Sequence, residues 1–133
     1  MNAITDLSTL LATLNPSLVD GEFVFITRAD GRYGDGAGLN PIAAFMEEEG
    51  LTLVVPKEKA DGSREEYQGE FRMITLRVHS SLEAVGLTAA VASALAKHGI
   101  SVNAMAAFYH DHLFVPSSRA DEAMMVLSEF MSA

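Results

Sequence analysis

Val54-Val55-Pro56-Lys57-Glu58-Lys59-Ala60-Asp61 returns as Phe114-Val115-Pro116-Ser117-Ser118-Arg119-Ala120-Asp121, and that return decides the architecture. Ala-Ala-Phe precedes each copy, at Ala43-Ala44-Phe45 and at Ala106-Ala107-Phe108. Further upstream, Phe23-Val24-Phe25-Ile26-Thr27-Arg28 is echoed by Phe71-Arg72-Met73-Ile74-Thr75-Leu76-Arg77. The pairs occur in one order, which describes a duplicated module of about 60 residues. Duplication creates an interface between copies, and small ligands often bind at such interfaces.

The later copy has the clearer pattern. Residues 70–79 read as a strand with Ile74, Leu76 and Val78 on one face and Met73, Thr75 and Arg77 on the other. Ser80 and Glu83 have capping-box spacing, so a helix is expected to follow and run to about His98, ended by Gly99 as a left-handed cap. Residues 100–109 and 112–115 form a hairpin around His110-Asp111, and 119–130 a final helix with Ala123, Val126, Leu127 and Phe130 inward. Strand, helix, strand, strand, helix is the split βαβ order without its last strand.

The earlier copy departs from this. Residues 22–28 read as a strand with two apolar faces. A glycine-rich loop over 29–41 stands where the crossover helix would be and is too short for one. Gly34-Asp35-Gly36-Ala37-Gly38 lacks the Gly-Lys-Ser/Thr of a phosphate loop, and reads as a flexible connection. Residues 43–49 have helix propensity, but their repeat partner is a hairpin. The repeat therefore sets a hairpin at 42–47 and 51–55, followed by a short helix at 57–66. Ile4, Leu7, Leu10, Leu11 and Leu14 mark an N-terminal helix over 4–14, capped by Thr5 or Asp6 and stopped by Asn15-Pro16. Its expected place is over the sheet face that the missing crossover helix vacates. The fold class is α+β, with modules at 1–69 and 70–133 packed as one unit.

Bulk composition narrows the function. In 133 residues, 49% are hydrophobic and mean hydropathy is +0.19, ample for a core. Nine basic against eighteen acidic residues give a net charge of −9, which repels nucleic acid and anionic membranes. The chain has no cysteine, so it has neither a disulfide nor a thiolate metal site nor a thiol nucleophile. No signal peptide and no membrane-length apolar run are evident, and a cytoplasmic location is expected.

Ile74-Thr75-Leu76-Arg77-Val78-His79-Ser80-Ser81-Leu82-Glu83-Ala84-Val85-Gly86-Leu87 resembles the strand–loop–helix start of an ACT domain. Ala94-Leu95-Ala96-Lys97-His98-Gly99-Ile100-Ser101-Val102-Asn103 resembles that family's helix end and second strand. The run from Tyr109-His110-Asp111-His112 to Val115-Pro116 resembles one branch, small bacterial tandem ACT proteins. These modules are also similar to the ACT pairs of aspartate kinases and of eukaryotic arginine sensors. The resemblance is good over 70–130 and fainter over 1–69. It implies tandem ferredoxin-like βαββαβ modules, the first degenerate, and amino-acid binding at module or subunit interfaces, with no catalysis and no cofactor. The sequence departs from the family where Ser80-Ser81 and Glu83 replace the usual aspartate before the helix-starting glycine.

The candidate binding residues follow from this. Ser80, Ser81, Glu83, Val85, Gly86 and Leu87 lead into a helix N-terminus, whose free N–H groups suit a carboxylate. Gly86 would admit a ligand close to the backbone; the plain alternative is a capped helix with a packing glycine. Asn103 and Met105 share a strand face, and Asn103 can read an ammonium or amide; it serves equally as a satisfied surface amide. His110, Asp111 and His112 would rim the pocket. His-x-His with His79 could bind zinc, but with no further ligand identified no metal is assigned. The acidic runs 47–49 and 65–66 read as solvated, and the seven methionines as core filler.

The leading reading is thus an amino-acid-binding regulatory sensor, acting as a homodimer. Its alternatives are a ligand-free protein-interaction scaffold and a small histidine-based metal protein or enzyme. RNA binding, which the ferredoxin-like order also serves, needs exposed aromatics and a basic surface that this chain lacks.

Overall fold

A computed structural model describes residues 6–132. Contacts group the chain into two compact units. Residues up to Asp20 join those from Arg72 onward, and Gly21–Phe71 form the other unit.

The Gly21–Phe71 unit is built on a meander of β2 (Phe23–Arg28), β3 (Ala43–Glu47) and β4 (Gly50–Pro56), in the order β3-β4-β2. Both pairings are antiparallel, with Phe23 opposite Pro56, Arg28 opposite Leu51 and Ala43 opposite Val54. The hairpin set by the repeat therefore overrides the helix propensity of 43–49. Gly50 explains part of this. Its φ is +148°, and a Cβ there would lie 2.5 Å from the Arg28 carbonyl oxygen, so the turn at 48–49 closes only on glycine. Helix α2 (Lys57–Gly62) follows Pro56 and stops at Gly62, short of the expected residue 66.

One face of this meander buries Val24, Ile26, Leu51, Leu53 and Val55 under Leu39 and Ala60, with Tyr67 packed alongside. Leu39 comes from the glycine-rich loop, which makes a single 3-10 turn at Ala37–Leu39. A Cβ on Gly36 would meet Leu53 at 2.7 Å, so this loop lies tight on the sheet. The loop and α2, not the N-terminal helix, cover the face vacated by the crossover helix.

The N-terminal helix belongs to the other unit. Helix α1 (Leu7–Ala12) is capped by Asp6, whose carboxylate accepts the Thr9 N–H at 2.9 Å and the Thr9 hydroxyl at 2.7 Å. These bonds hold the Asp6 carboxyl below the usual carboxylate range. Leu10 and Leu14 are fully buried among Ile74, Leu76, Val91, Leu95 and Leu127. After α1 comes β1 (Pro16–Leu18), a strand the sequence does not announce. It pairs antiparallel with β5 (Phe71–Leu76), Pro16 opposite Leu76 and Leu18 opposite Ile74. β5 then neighbours β7 (Asp111–Pro116), which pairs antiparallel with β6 (Asn103–Ala106). The order β1-β5-β7-β6 supplies, from the N-terminal segment, the strand missing from the split βαβ pattern.

Helices α3 (Leu87–Lys97) and α4 (Ala120–Ser128) cover one face of that sheet through Leu87, Val91, Leu95, Ala123, Val126 and Leu127. Gly99 takes the expected left-handed conformation, and the Ile100 N–H closes onto the Leu95 carbonyl. Arg119 adds a charged cap to the same helix end, donating to the His98 carbonyl at 2.7 Å and the Gly99 carbonyl at 3.4 Å. Three boundaries differ from expectation. β5 ends at Leu76. α3 starts only at Leu87, because Ser81, not Ser80, accepts from the Glu83 N–H in a local turn. The hairpin turn lies at 107–110, closed by the Ala107 N–H on the His110 carbonyl, so Asp111 opens β7.

Candidate functional site

The expected site residues all lie in the unit containing α3. Segment 77–86, between β5 and α3, turns at 81–84, where the Ala84 N–H reaches the Ser81 carbonyl. It enters the helix through Gly86, whose φ of +99° lies in the left-handed region. Glycine carries no capping side chain, so the α3 start keeps N–H groups available, with the positive dipole end behind them. Leu87 is buried, whereas Leu82 and Val85 are 67% and 82% exposed.

Gly86 has a plainer reason to be glycine than ligand access. A Cβ there would sit 3.1 Å from Leu7 Cδ2, since the first turn of α1 packs over it. Backbone conformation and close packing together account for the residue. Leu7 is a contact that sequence reasoning missed, because it assigned α1 to the other module.

His110, Asp111 and His112 each reach back to β5 or the segment after it. The His110 Nδ1–H donates to the Val78 carbonyl at 3.4 Å; a carbonyl only accepts, so the proton is on Nδ1. The Ser80 hydroxyl donates to Asp111 Oδ2 at 3.4 Å. His112 Nδ1 lies 3.0 Å from the hydroxyl of Thr75, itself 5% exposed. Burial pushes the His112 imidazole below its ordinary value; the nearby His110 adds to this and Asp111 opposes it.

Rings continue outward from this set. His110 and His112 have centroids 6.5 Å apart; Tyr109 stacks 6.4 Å from His110, 5.7 Å from His79 and 5.0 Å from Phe108. Phe108 and Tyr109 are 71% and 63% exposed. Among the described residues, no group of three or more His, Asp or Glu is arranged to hold a metal ion.

The candidates do not share one face. Met105 stands opposite His112 and Asn103 opposite Phe114 across the β6–β7 ladder. Strand alternation puts these on the sheet face away from α3 and α4, because Leu113 and Val115 point into the helical core. Asp111 shares the core-side register, and its partner Ser80 lies toward the α3 start. Asn103 is exposed and Met105 half-buried. The fold therefore gathers Ser80, Ser81, Glu83, Val85, Gly86, Leu87 and Asp111 at one end of the helix layer, and leaves Asn103, Met105 and His112 behind the sheet. Sequence reasoning missed Thr75, the lone buried polar side chain among the described residues; a threonine alternating with apolar residues in β5 is the one signal it offered.

Comparison with known proteins agrees with this fold. ACT-domain models match residues 2–72 and 68–129. A Vibrio cholerae protein of unknown function, termed a possible transport protein, is 49% identical, covering 95% of this chain and 96% of its own, with a TM-score of 0.87. A protein from Agrobacterium tumefaciens is 17% identical over 87% of each chain, with a TM-score of 0.65. The regulatory subunit of aspartate kinase from Thermus flavus is 10% identical, covering 91% of this chain and 99% of its own, with a TM-score of 0.63. No curated protein matches.

Proposed function

The chain belongs to the ACT-domain family, and on that premise we propose that it is a non-catalytic sensor whose ligand is a small amino acid. ACT domains indicate a regulatory role; the ligand class, the homodimer and the cytoplasmic setting are our reading. The observation that carries it is the pairing of a helix start that has no side-chain cap with a carboxylate. The first turn of α3 suits the ligand's carboxylate, and Asp111, tied by Ser80, suits its ammonium. The cluster His110-Asp111-His112 favours binding over catalysis, because each member is engaged in a structural hydrogen bond. Asn103, Met105 and His112, on the other sheet face, are better placed to face a second copy along the β6 edge. Among the described residues, no helix is long and apolar enough to cross a membrane.

A ligand acts on such a protein only through its differential affinity for two states, here two association states. A thermal-shift screen against the common amino acids tests the reading. Binding to the native state raises the melting point by mass action. A selective rise that disappears in Asp111→Asn is expected, with light scattering showing a change of mass at saturation. Absence of any shift across the panel rules out the amino-acid sensor and leaves a ligand-free interaction scaffold.

A further inference from the structure

We propose that His112 is a proton sensor and that His110-Asp111-His112 form a latch on β5 and the segment after it, which acidification weakens at the His112–Thr75 contact. This goes beyond the ligand reading and needs no ligand. Three consecutive residues hold three points of one neighbouring stretch: His110 on the Val78 carbonyl, Asp111 on the Ser80 hydroxyl, and His112 on the Thr75 hydroxyl. The latch fastens the 107–110 turn, with its exposed Phe108 and Tyr109, to the segment leading into α3.

The three grips respond differently to a proton. His110 already donates from Nδ1, so charging its other nitrogen strengthens that bond. His112 is different. When neutral, its Nδ1 can accept the Thr75 hydroxyl proton. Once charged, Nδ1–H must donate, and the Thr75 hydroxyl, nearly sealed from water, must turn its hydrogen to another acceptor. The charged ring also loses solvation, and His110, with ring centroids 6.5 Å apart, adds to the cost of charging it.

Ionisable groups around the pair come from each packed element. They are Asp111 on the strand of His112, Tyr109 in the turn and His79 in the segment after β5, where strand alternation also puts Arg77 in the register of Thr75; Met105 of β6, opposite His112, carries no charge. Asp111 is the sole carboxylate of this set and already accepts from Ser80. It therefore opposes, without cancelling, the cost of charging His112.

The sign follows from the depressed folded-state affinity. The unlatched form binds protons more readily than the latched one. The latch is fully held above the ordinary imidazole value of 6.5 and loosens as pH falls below it toward the lower folded value.

Heteronuclear NMR on the intact protein, titrated from about pH 8 to about pH 5, tests this. The His112 ring is expected to titrate below the ordinary imidazole value of 6.5. The amides of Val78, Ser80 and Tyr109 should shift with the His112 midpoint, and this co-titration should survive His110→Gln but vanish in His112→Gln. A His112 midpoint at or above the ordinary value overturns the proposal, as does co-titration that persists without His112. If His112→Gln does not fold, Thr75→Val replaces it: loss of the shared midpoint supports the latch and its retention refutes it. Hydrogen exchange on the unaltered protein gives an independent reading. Protection at 107–110, corrected for intrinsic rates, should fall on acidification, and unchanged protection there refutes the latch.

Discussion

Leu10→Ala tests the assignment of the N-terminal segment to the unit built on β5, α3, β6, β7 and α4. Leu10 has no solvent exposure and sits in the core formed by Leu76, Val91, Leu95 and Leu127. Truncation removes three carbons, about 2.4 kcal/mol at about 0.8 kcal/mol for each buried methylene. Residual cavity brings such substitutions to about 3–5 kcal/mol. Helix α1 has little to resist with. Its six residues are too few to hold a helix alone, so packing through Leu10 and Leu14 supplies its stability. At this chain length the loss corresponds to a melting point roughly 10–20 °C lower. Urea unfolding followed by circular dichroism gives the free energy, and hydrogen exchange gives the location. The amides of α3, β7 and α4 should lose protection with α1. A loss under about 1 kcal/mol would refute the assignment. So would destabilisation confined to 21–71, which is the outcome if α1 covered the β2–β4 face as the sequence suggested.

Two further substitutions separate local causes. Gly86→Ala should cost about 1–2 kcal/mol, because φ is +99° there and an L-residue is strained in that region. Adding Leu7→Ala removes the 3.1 Å approach but not the strain, so thermal melts of the double variant should show no recovery; full recovery would make the contact, not the backbone, the cause. Arg119→Met should shorten α3 from its C-terminal end, costing on the order of 1 kcal/mol for the lost carbonyl caps. Faster exchange at the Gly99 and Ile100 amides checks this, and unchanged exchange there would mean that the Gly99 cap suffices alone.

Much of the fold was legible because a duplicated sequence carries its own control. The 43–49 stretch favours a helix by propensity, yet its counterpart around Ala106 reads as a hairpin, and the hairpin formed. What stayed hidden is the part that breaks the duplication. Three residues, Pro16–Leu18, give no alternation and begin with a proline, so a strand there cannot be read from pattern. Their role is fixed only by the open edge of β5, which is a tertiary fact. The same error misplaced α1. A leucine stripe shows that a helix face is buried, but not against which of two similar sheets it is buried.

The site was legible to a lesser degree, for a related reason. Pattern located the segment before α3 and the His110-Asp111-His112 run, and the fold does bring them into contact. It also suggested a common pocket with Asn103 and Met105, and strand alternation denies this: a one-residue step along β7 carries Asp111 to one face and His112 to the other. The His-x-His motif is therefore better understood as two different attachments than as one ligand set. His110 holds a carbonyl that proton uptake cannot disrupt, whereas in the proposed latch the neutral His112 accepts from a hydroxyl, a bond that reverses when the ring is charged. Placement two residues apart, one at the end of the turn and one on β7, lets a single short run combine a fixed anchor with a proton-dependent one.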